Sequence, residues 1–445
     1  MKRISIVLCV SAVLCFNTAQ AQEWTMQQCM QYAVEHNHDV KRAELELDNY
    51  KAQKTGAVGS FLPYVDAGIG AQYNFGRAID PETNTYTDVS TFYNGYQLLA
   101  SLPVFDGFNR LHALRAAQAS VLMGQSALRQ RQNLTALDVL QAYTNVAYYD
   151  GLVKMANEKV EETLLLLKQT KVLEEVGRKS AADVAQVESQ KAEADYELTR
   201  QQSLYASALL ELKKAMGYPL NDSIGLAFVP NVGTFHSQPG NNSFPTWEQI
   251  LDNERHPELQ QSRYQMLASK HEWHQARAAL YPSLSLSAGL NTTYYKTLHS
   301  ETVTSFSSQF KNNMGEYVGA TLTIPLFSRL QSVTNIRKAK NNYKMAREAY
   351  EQKRLELEKL SREAWQDLQG YLKQVVQMTH KVEADSISYQ LTRRQYEEGL
   401  STAIDLHTTS SQLLNSKATL LQCQLMAMVK EQLVRYYKGE TIWTE

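Results

Sequence analysis

VGRKSAADV (Val176–Val184) and EGLSTAIDL (Glu398–Leu406) are the two stretches that decide how this chain folds. Each holds a glycine, a hydroxyl residue three places on and an aspartate three places after that: Gly177, Ser180, Asp183 and Gly399, Thr402, Asp405. The second copy lies 222 residues after the first, with no gap inside the motif. A glycine can end a helix in the left-handed conformation. A Ser or Thr with an acid at N3 can open the next one as a capping-box-like pair. The spacing therefore predicts two tight turns, each joining a pair of antiparallel helices.

The flanking sequence supports helices of unusual length. All ten prolines lie at or before Pro325, and none falls between 104 and 218 or after 325. Interior proline costs ~3 kcal/mol, so these stretches permit long helices. Val139, Val146, Val153, Val160 and Leu167 recur every seven residues, and the same offset of 222 reaches Ser361, Leu368, Val375, Val382 and Tyr389, then Tyr396 one step on. A sustained seven-residue seam is the pattern of helices supercoiled against partners. Arg110 to Val176 would make about 100 Å of helix at 1.5 Å per residue, which no compact globule needs.

Each long helical hairpin is preceded by a strand pair. Val65, Ala67, Ile69, Ala71, Tyr73 and Phe75 alternate with Asp66, Gly68, Gly70, Gln72 and Asn74. Leu284, Leu286, Ala288 and Leu290 alternate with Ser283, Ser285, Ser287, Gly289 and Asn291. The returning strands, near 92–103 and 315–326, carry Tyr96, Leu98, Ala100 and Leu102, then Val318, Ala320, Leu322 and Ile324, on one face. Apolar residues alternating with small polar ones over ~10 positions is how a membrane β-barrel strand reads. A half-buried soluble sheet shares that pattern, and the amino-terminal signal below together with tyrosines toward the strand ends favours the membrane. Polar loops are expected at 77–91 and 298–313.

The expected plan is thus a signal at 1–21 and a first repeat at 22–216, with its strand pair at 62–103, helical hairpin at 108–216 and tip at 177–183. A Pro- and Gly-rich linker at 217–246 leads to a second repeat at 247–445, with strand pair 282–326, hairpin 330–437 and tip 399–405. The fold class is a mixed α and β membrane protein with an internal two-fold repeat. Four strands cannot close a barrel, and an open edge cannot sit in lipid. Single-chain bacterial barrels begin at about 8 strands, so several copies must share one wall.

Composition restricts the function. Lys2 and Arg3, the apolar run Ile4 to Phe16 and Ala19-Gln20-Ala21 form a secretory signal with an A-x-A cleavage site. Its removal leaves 43 basic against 46 acidic side chains, with no basic excess to suit nucleic acid. Ala12-Val13-Leu14-Cys15 has the outline of a lipoprotein box, but Leu14 is bulkier than the small residue such a box carries. Cys29 and Cys423 are single, distant thiols suited to small buried positions, not a disulfide framework. Past the signal there is no run of ~18 apolar residues. Glu35-His36-Asn37-His38-Asp39 suggests a metal site that no later histidine cluster completes, and His271-Glu272-Trp273-His274 is one residue short of H-E-x-x-H. Without a glycine-rich phosphate loop or a G-x-S-x-G elbow, the expectation is a protein with no metal, cofactor or catalytic site.

The duplicated order of helix, strand pair and long helical hairpin, with Leu62-Pro63, Pro103-Val104-Phe105, Pro325-Leu326-Phe327 and the two tips, resembles the TolC-type outer membrane efflux and secretion ducts across essentially the whole mature chain. The resemblance implies a homotrimer with a barrel in the outer membrane lipid of a Gram-negative cell, continued by a helical tunnel through the periplasm. It implies docking to a periplasmic membrane-fusion adaptor and an inner membrane pump, and export of small molecules or proteins in tripartite efflux or type I secretion. The adaptor would contact Gly177, Arg178, Lys179, Ser180, Gly399, Leu400, Ser401 and Thr402; solvated turns are the bland reading of Arg178 and Lys179. The resemblance also implies a gate in which Tyr396 bonds Asp183 and copies of Asp405 form a carboxylate ring. Thr408 stands where the family archetype repeats that ring, and Ser401, facing Ala182, stands where it has an arginine link. A weaker lock and a single acidic ring are expected. The rival is a periplasmic or surface coiled-coil scaffold without a pore.

Overall fold

A computed structural model describes residues 23–79, 84–88, 90–227, 256–298 and 304–443. The signal, the box at Cys15, most of the linker and the start of the second repeat lie outside the described residues. The described residues fall into two compact units, one drawn from within 1–41, 132–247 and 362–445, the other from within 42–131 and 248–361. Each draws pieces from both sequence repeats.

The second unit holds the sheet. Strands β2 (Tyr64–Asn74), β5 (Thr91–Phe105), β7 (Ser283–Thr297) and β8 (Gly315–Thr323) form one antiparallel sheet in that order. Register fixes the faces. Val65 lies opposite Ala100, which lies opposite Ala288, which lies opposite Val318. Leu102, Leu286 and Ala320 form the next row, and Ala67, Leu98 and Leu290 another, ending at Glu316. On the opposite face the rows read Ser101, Ser287 and Gly319, or Gln97, Asn291 and Gly315. The alternation seen in each strand is therefore aligned across all four. The apolar face is open: Ile69 is 75% and Val318 86% exposed. A soluble protein would not leave a stripe of that kind uncovered.

The loops departed from expectation. Residues 77–91 contain a small hairpin of β3 (Arg77–Ile79) and β4 (Tyr86–Asp88). The second loop contains a short helix, Phe306–Asn312, capped by Ser305. Phe306 and Phe310, four apart on one helical side, pack on Tyr96 at 6.1 and 5.3 Å between ring centres. That apolar pair forms a helix where polarity alone suggested a loop.

The sheet passes into helix at two matched points. Backbone φ is positive at Gly107 and Phe108, and again 222 residues on at Arg329 and Leu330. Arg110 clamps the first junction: its Nε donates to Asp106 at 2.9 Å, and its guanidinium also reaches the carbonyls of Ser60 and Pro103. From there α3 runs Asn109–Glu175, 67 residues. Its counterpart, Gln331–Glu397, is also 67 residues and begins 222 positions later.

The first unit is helical. After β1 (Glu23–Trp24), α1 (Met26–His36) opens with a capping box of Thr25 and Gln28; Asn37 separates it from α2 (His38–Gly59). Its core joins Cys29 and Met30 with Val139, Leu140 and Val146 of α3, and Leu212 of the returning helix α4 (Ala181–Met216). The Tyr143 hydroxyl donates to the Ala227 carbonyl at 2.7 Å beside β6 (Gly225–Leu226). The seven-residue seam is fully buried at Val139 and Val146, half-buried at Val153, Val160 and Leu167. Among the described residues no helix is long and apolar enough to cross a membrane.

Candidate functional site: the paired helical tips

Both tips are built as their sequences dictate. At the first, Gly177 has φ +76°, its N–H donates to the Glu174 carbonyl at 2.8 Å, and Arg178 N–H donates to Leu173 at 2.8 Å. At the second, Gly399 has φ +79°, with bonds to Tyr396 at 3.1 Å and from Leu400 to Gln395 at 2.7 Å. These are paired 6→1 and 5→2 bonds, the Schellman ending. Ser180 then caps α4 and Thr402 caps the last helix, Ala403–Tyr437, each in a full capping box with Asp183 or Asp405.

Helices α5 (Pro257–Arg277), α6 (Phe306–Asn312), α7 (Gln331–Glu397) and α8 (Ala403–Tyr437) follow α4 along the described chain. Val187 of α4, Tyr396 of α7, and Ala403 and Leu406 of α8 form one buried cluster, against Leu166 and Leu167 of α3. Gln190 donates to the Ala403 carbonyl at 3.3 Å. The two turns, far apart in sequence, are thus locked side by side within one chain. Lys179 lies over the Tyr396 ring, 4.2 Å from its centre, while Arg178 is exposed.

The expected bond between Tyr396 and Asp183 is not the one made. Tyr396 is 2% exposed and its hydroxyl lies 3.1 Å from Thr170 Oγ1. The Asp183 carboxylate instead accepts from Ser180, from the N–H at 2.9 Å and the hydroxyl at 2.8 Å. A capping carboxylate turned back on its own N-cap is satisfied locally and has no reason to reach a buried ring. Asp405 behaves alike, accepting the Thr402 hydroxyl at 2.6 Å and N–H at 3.1 Å, with Ser401 at 3.3 Å. Those bonds favour the charged form. The backbone N–H and hydroxyl of Ser180 hold Asp183 below its ordinary value, and the Thr402 hydroxyl and N–H do the same for Asp405. Asp405 and Thr408 are exposed, with the Thr408 hydroxyl on the Ile404 carbonyl at 2.8 Å.

Sequence reasoning missed Thr170 and a polar knot further along α7. Thr163 and Thr170 are fully buried, three residues after the seam positions Val160 and Leu167, and that second heptad row was the signal available. Asp385 occupies the same row 222 residues after Thr163. Its carboxylate accepts from Lys381 at 2.6 Å, Gln412 at 3.0 Å and Ser416. Lys381 first, then Ser416, keeps that carboxyl below its usual range.

The histidines resolve differently. His36 stacks on Tyr32 at 4.0 Å and its Nδ1 contacts the Tyr32 carbonyl at 3.0 Å. His271 and His274 stack with His112 at 5.8 and 5.1 Å. Burial foremost, with Arg115, Arg277 and Lys270 nearby, pushes these three imidazoles below their ordinary value. Parallel rings do not converge nitrogens on a point, and no metal-holding group occurs among the described residues.

Comparison with known proteins places this architecture. The chain is 22% identical over 428 residues to the probable efflux pump outer membrane protein TtgC of Pseudomonas putida, covering 93% of this chain and 82% of that one. Its fold matches the crystal structure of CusC with a TM-score of 0.80 at 18% identity, over 93% of this chain and 92% of that one. It matches VceC of Vibrio cholerae with a TM-score of 0.77 at 14% identity, over 94% and 96%. The family described as outer membrane efflux protein matches residues 29–218 and 251–435, most of the chain. The chain belongs to the outer membrane efflux protein family, and it is an outer membrane efflux channel.

Proposed function

We propose that three copies of this chain close one twelve-stranded barrel in the outer membrane, and that their helices continue it as a tunnel ending at six tips. The observation that carries this reading is the sheet. Among the described residues its edges β2 and β8 each have one strand partner, its apolar face is open at Ile69, Leu286, Leu290 and Val318, and four strands cannot close on themselves. A scaffold without a pore has no use for a sheet of that kind.

The tips are the docking surface for a periplasmic adaptor, which links the channel to an inner membrane pump. Gly177, Arg178, Lys179, Ser180, Gly399, Leu400, Ser401 and Thr402 form it. Apolar side chains are left bare there: Leu400 is 75% exposed, Val176 and Ile404 63% each. A partner helix can bury such residues. Copies of Asp405 around the axis form a ring of negative charge at the narrow end, attracting cations and excluding anions. Tyr396 seats one tip on the other through Thr170, and Asp183 fixes the start of α4. The channel guides cargo without chemistry of its own; small molecules and proteins both suit a water-filled duct.

Light scattering of the detergent-extracted protein tests the assembly. A trimer is expected. A monomer retaining full β-content by circular dichroism would refute the shared barrel.

A further inference from the structure

Above Asn291 the edge of β7 loses its strand partner, because β8 begins at Gly315 opposite Asn291. The helix α6 takes that place. Gln309, buried, accepts the Tyr295 N–H at 2.9 Å and donates to the Tyr295 carbonyl at 2.8 Å. Its side-chain amide makes the pair of bonds that a facing strand residue would exchange. Asn313 donates to the Thr293 carbonyl at 2.8 Å, and Thr292 to the Phe310 carbonyl at 2.8 Å. On the apolar face, Phe306 packs on Tyr294 at 5.3 Å and Phe310 on Tyr96 at 5.3 Å. The row continues through Phe92 to Tyr73, 4.8 Å apart, and on to Phe75.

Among the described residues the other side of α6 is uncovered. Ser307 and Lys311 are exposed and sit two residues either side of Gln309, which turns them about 200° away from it at 3.6 residues per turn. At the far edge of the sheet, β2 is paired only with β5 among the described residues. It has 11 residues where β8 has 9. Matched at their helix-proximal ends, a β2 laid against β8 overruns it. Its upper end, with Tyr73 58% exposed and Phe75 just beyond the strand 78% exposed, then meets α6 in place of a strand.

We propose that α6 is the seam between copies: it continues the short strand β8, and its Ser307–Lys311 side docks on the upper end of β2 of a second copy of this chain. Hydroxyl and ammonium donors there satisfy carbonyls of an open strand edge, which would otherwise stand unpaired beside lipid. The aromatic row of one copy runs into Phe306 of the next, closing a girdle of the kind that marks a membrane interface. This inference rests on the shared barrel proposed above and adds a contact to it.

Cysteine cross-linking separates the two. Within one chain, α6 stands three strand spacings from β2, about 14 Å at ~4.8 Å each, beyond the reach of a disulfide. A bond between them must therefore join two copies. The pair Phe75→Cys with Lys311→Cys changes two exposed side chains. Val318→Cys, combined in turn with Val65→Cys, Ala67→Cys, Ile69→Cys and Ala71→Cys, probes the β2–β8 junction itself. The two native thiols among the described residues do not compete: Cys29 and Cys423 are buried, which raises Cys29 to about 12 and raises Cys423 as well. Mild oxidation of outer membranes should trap covalent trimers in the α6 pair and in one member of the β2–β8 set. Trimers from the β2–β8 set alone would leave the barrel standing and overturn the seam, giving α6 to lipid. Trimers from neither would overturn both. Adding Gln309→Leu should lower the α6 cross-link yield several-fold and spare the β2–β8 one; an unchanged α6 yield would count against the helix being seated by that amide.

Discussion

Replacing Leu286 by arginine tests the wall of the channel most directly. Leu286 lies on the open apolar face, between Leu102 and Ala320, and is 42% exposed. The apolar rows of β7 run from Leu284 to Leu290, about 20 Å of strand at ~3.3 Å per residue, and the face turns polar at Glu316 and Thr292. Leu286 is therefore close to the middle of the band. An arginine facing lipid near the bilayer midplane costs ~2–4 kcal/mol. Three copies in one barrel would raise that to about 6–12 kcal/mol per assembly if the sites are independent. Ser287, one residue on, points the other way, between Ser101 and Gly319, and Ser287→Arg should cost far less because its charge enters water. The assay is urea unfolding of each purified variant in lipid vesicles, with heat-resistant migration in SDS as a second readout. Leu286→Arg should lose the heat-resistant band and shift the unfolding midpoint strongly, while Ser287→Arg should assemble with reduced conductance. Equal tolerance of the two substitutions would refute the assigned faces, since no rotation of the sheet about its strands exposes both residues to lipid.

Gly177→Val and Gly399→Val should each distort a tip, because β-branched side chains disfavour φ near +76° and +79°; both variants should reach the outer membrane yet lose export in a drug-sensitivity assay, and export surviving in both would remove the tips from docking. Tyr396→Phe deletes the hydroxyl on Thr170, worth about 0.5–1.5 kcal/mol, and should raise single-channel conductance by loosening one tip against the other; unchanged conductance would place the restraint elsewhere. Asp405→Ala should reduce cation selectivity and block by multivalent cations, with Thr408 unable to compensate, and a bilayer recording with both properties intact would move the constriction. The capping carboxylates Asp183 and Asp405 sit below the ordinary carboxylate value of 3.8 in the folded chain. Their contribution is full above that value and is lost as pH falls through the lower folded one. Proteolysis at the tips, followed against pH, should therefore stay flat through mildly acid conditions and rise only in strong acid, whereas a rise near neutrality would contradict the cap geometry.

Much of this could be read from local pattern. Alternation along Val65–Phe75 and Leu284–Leu290 assigned faces to strands, because side chains in an extended chain must alternate. Gly177 and Gly399 named their turns, because few residues tolerate positive φ and few capping boxes have that spacing. The offset of 222 carried a whole helix from 109–175 to 331–397. All of these signals are short-range, or repeat a short-range signal, and so survive in a linear string.

What packing decided was which distant groups meet. Tyr396 reached Thr170 and not Asp183, because its ring is buried against Leu166 and Leu406 while the aspartate is satisfied by its own cap. His112 joined His271 and His274 only when α5 lay on α3. The helix α6 formed in a stretch read as a polar loop, because Gln309 found an unpaired strand edge and two phenylalanines found Tyr96 and Tyr294. By itself the sequence determined the strands, the long helices and the turns between them. Tertiary structure decided the partners, since a hydrogen bond or ring contact between remote elements depends on ångström-scale placement that no periodicity encodes.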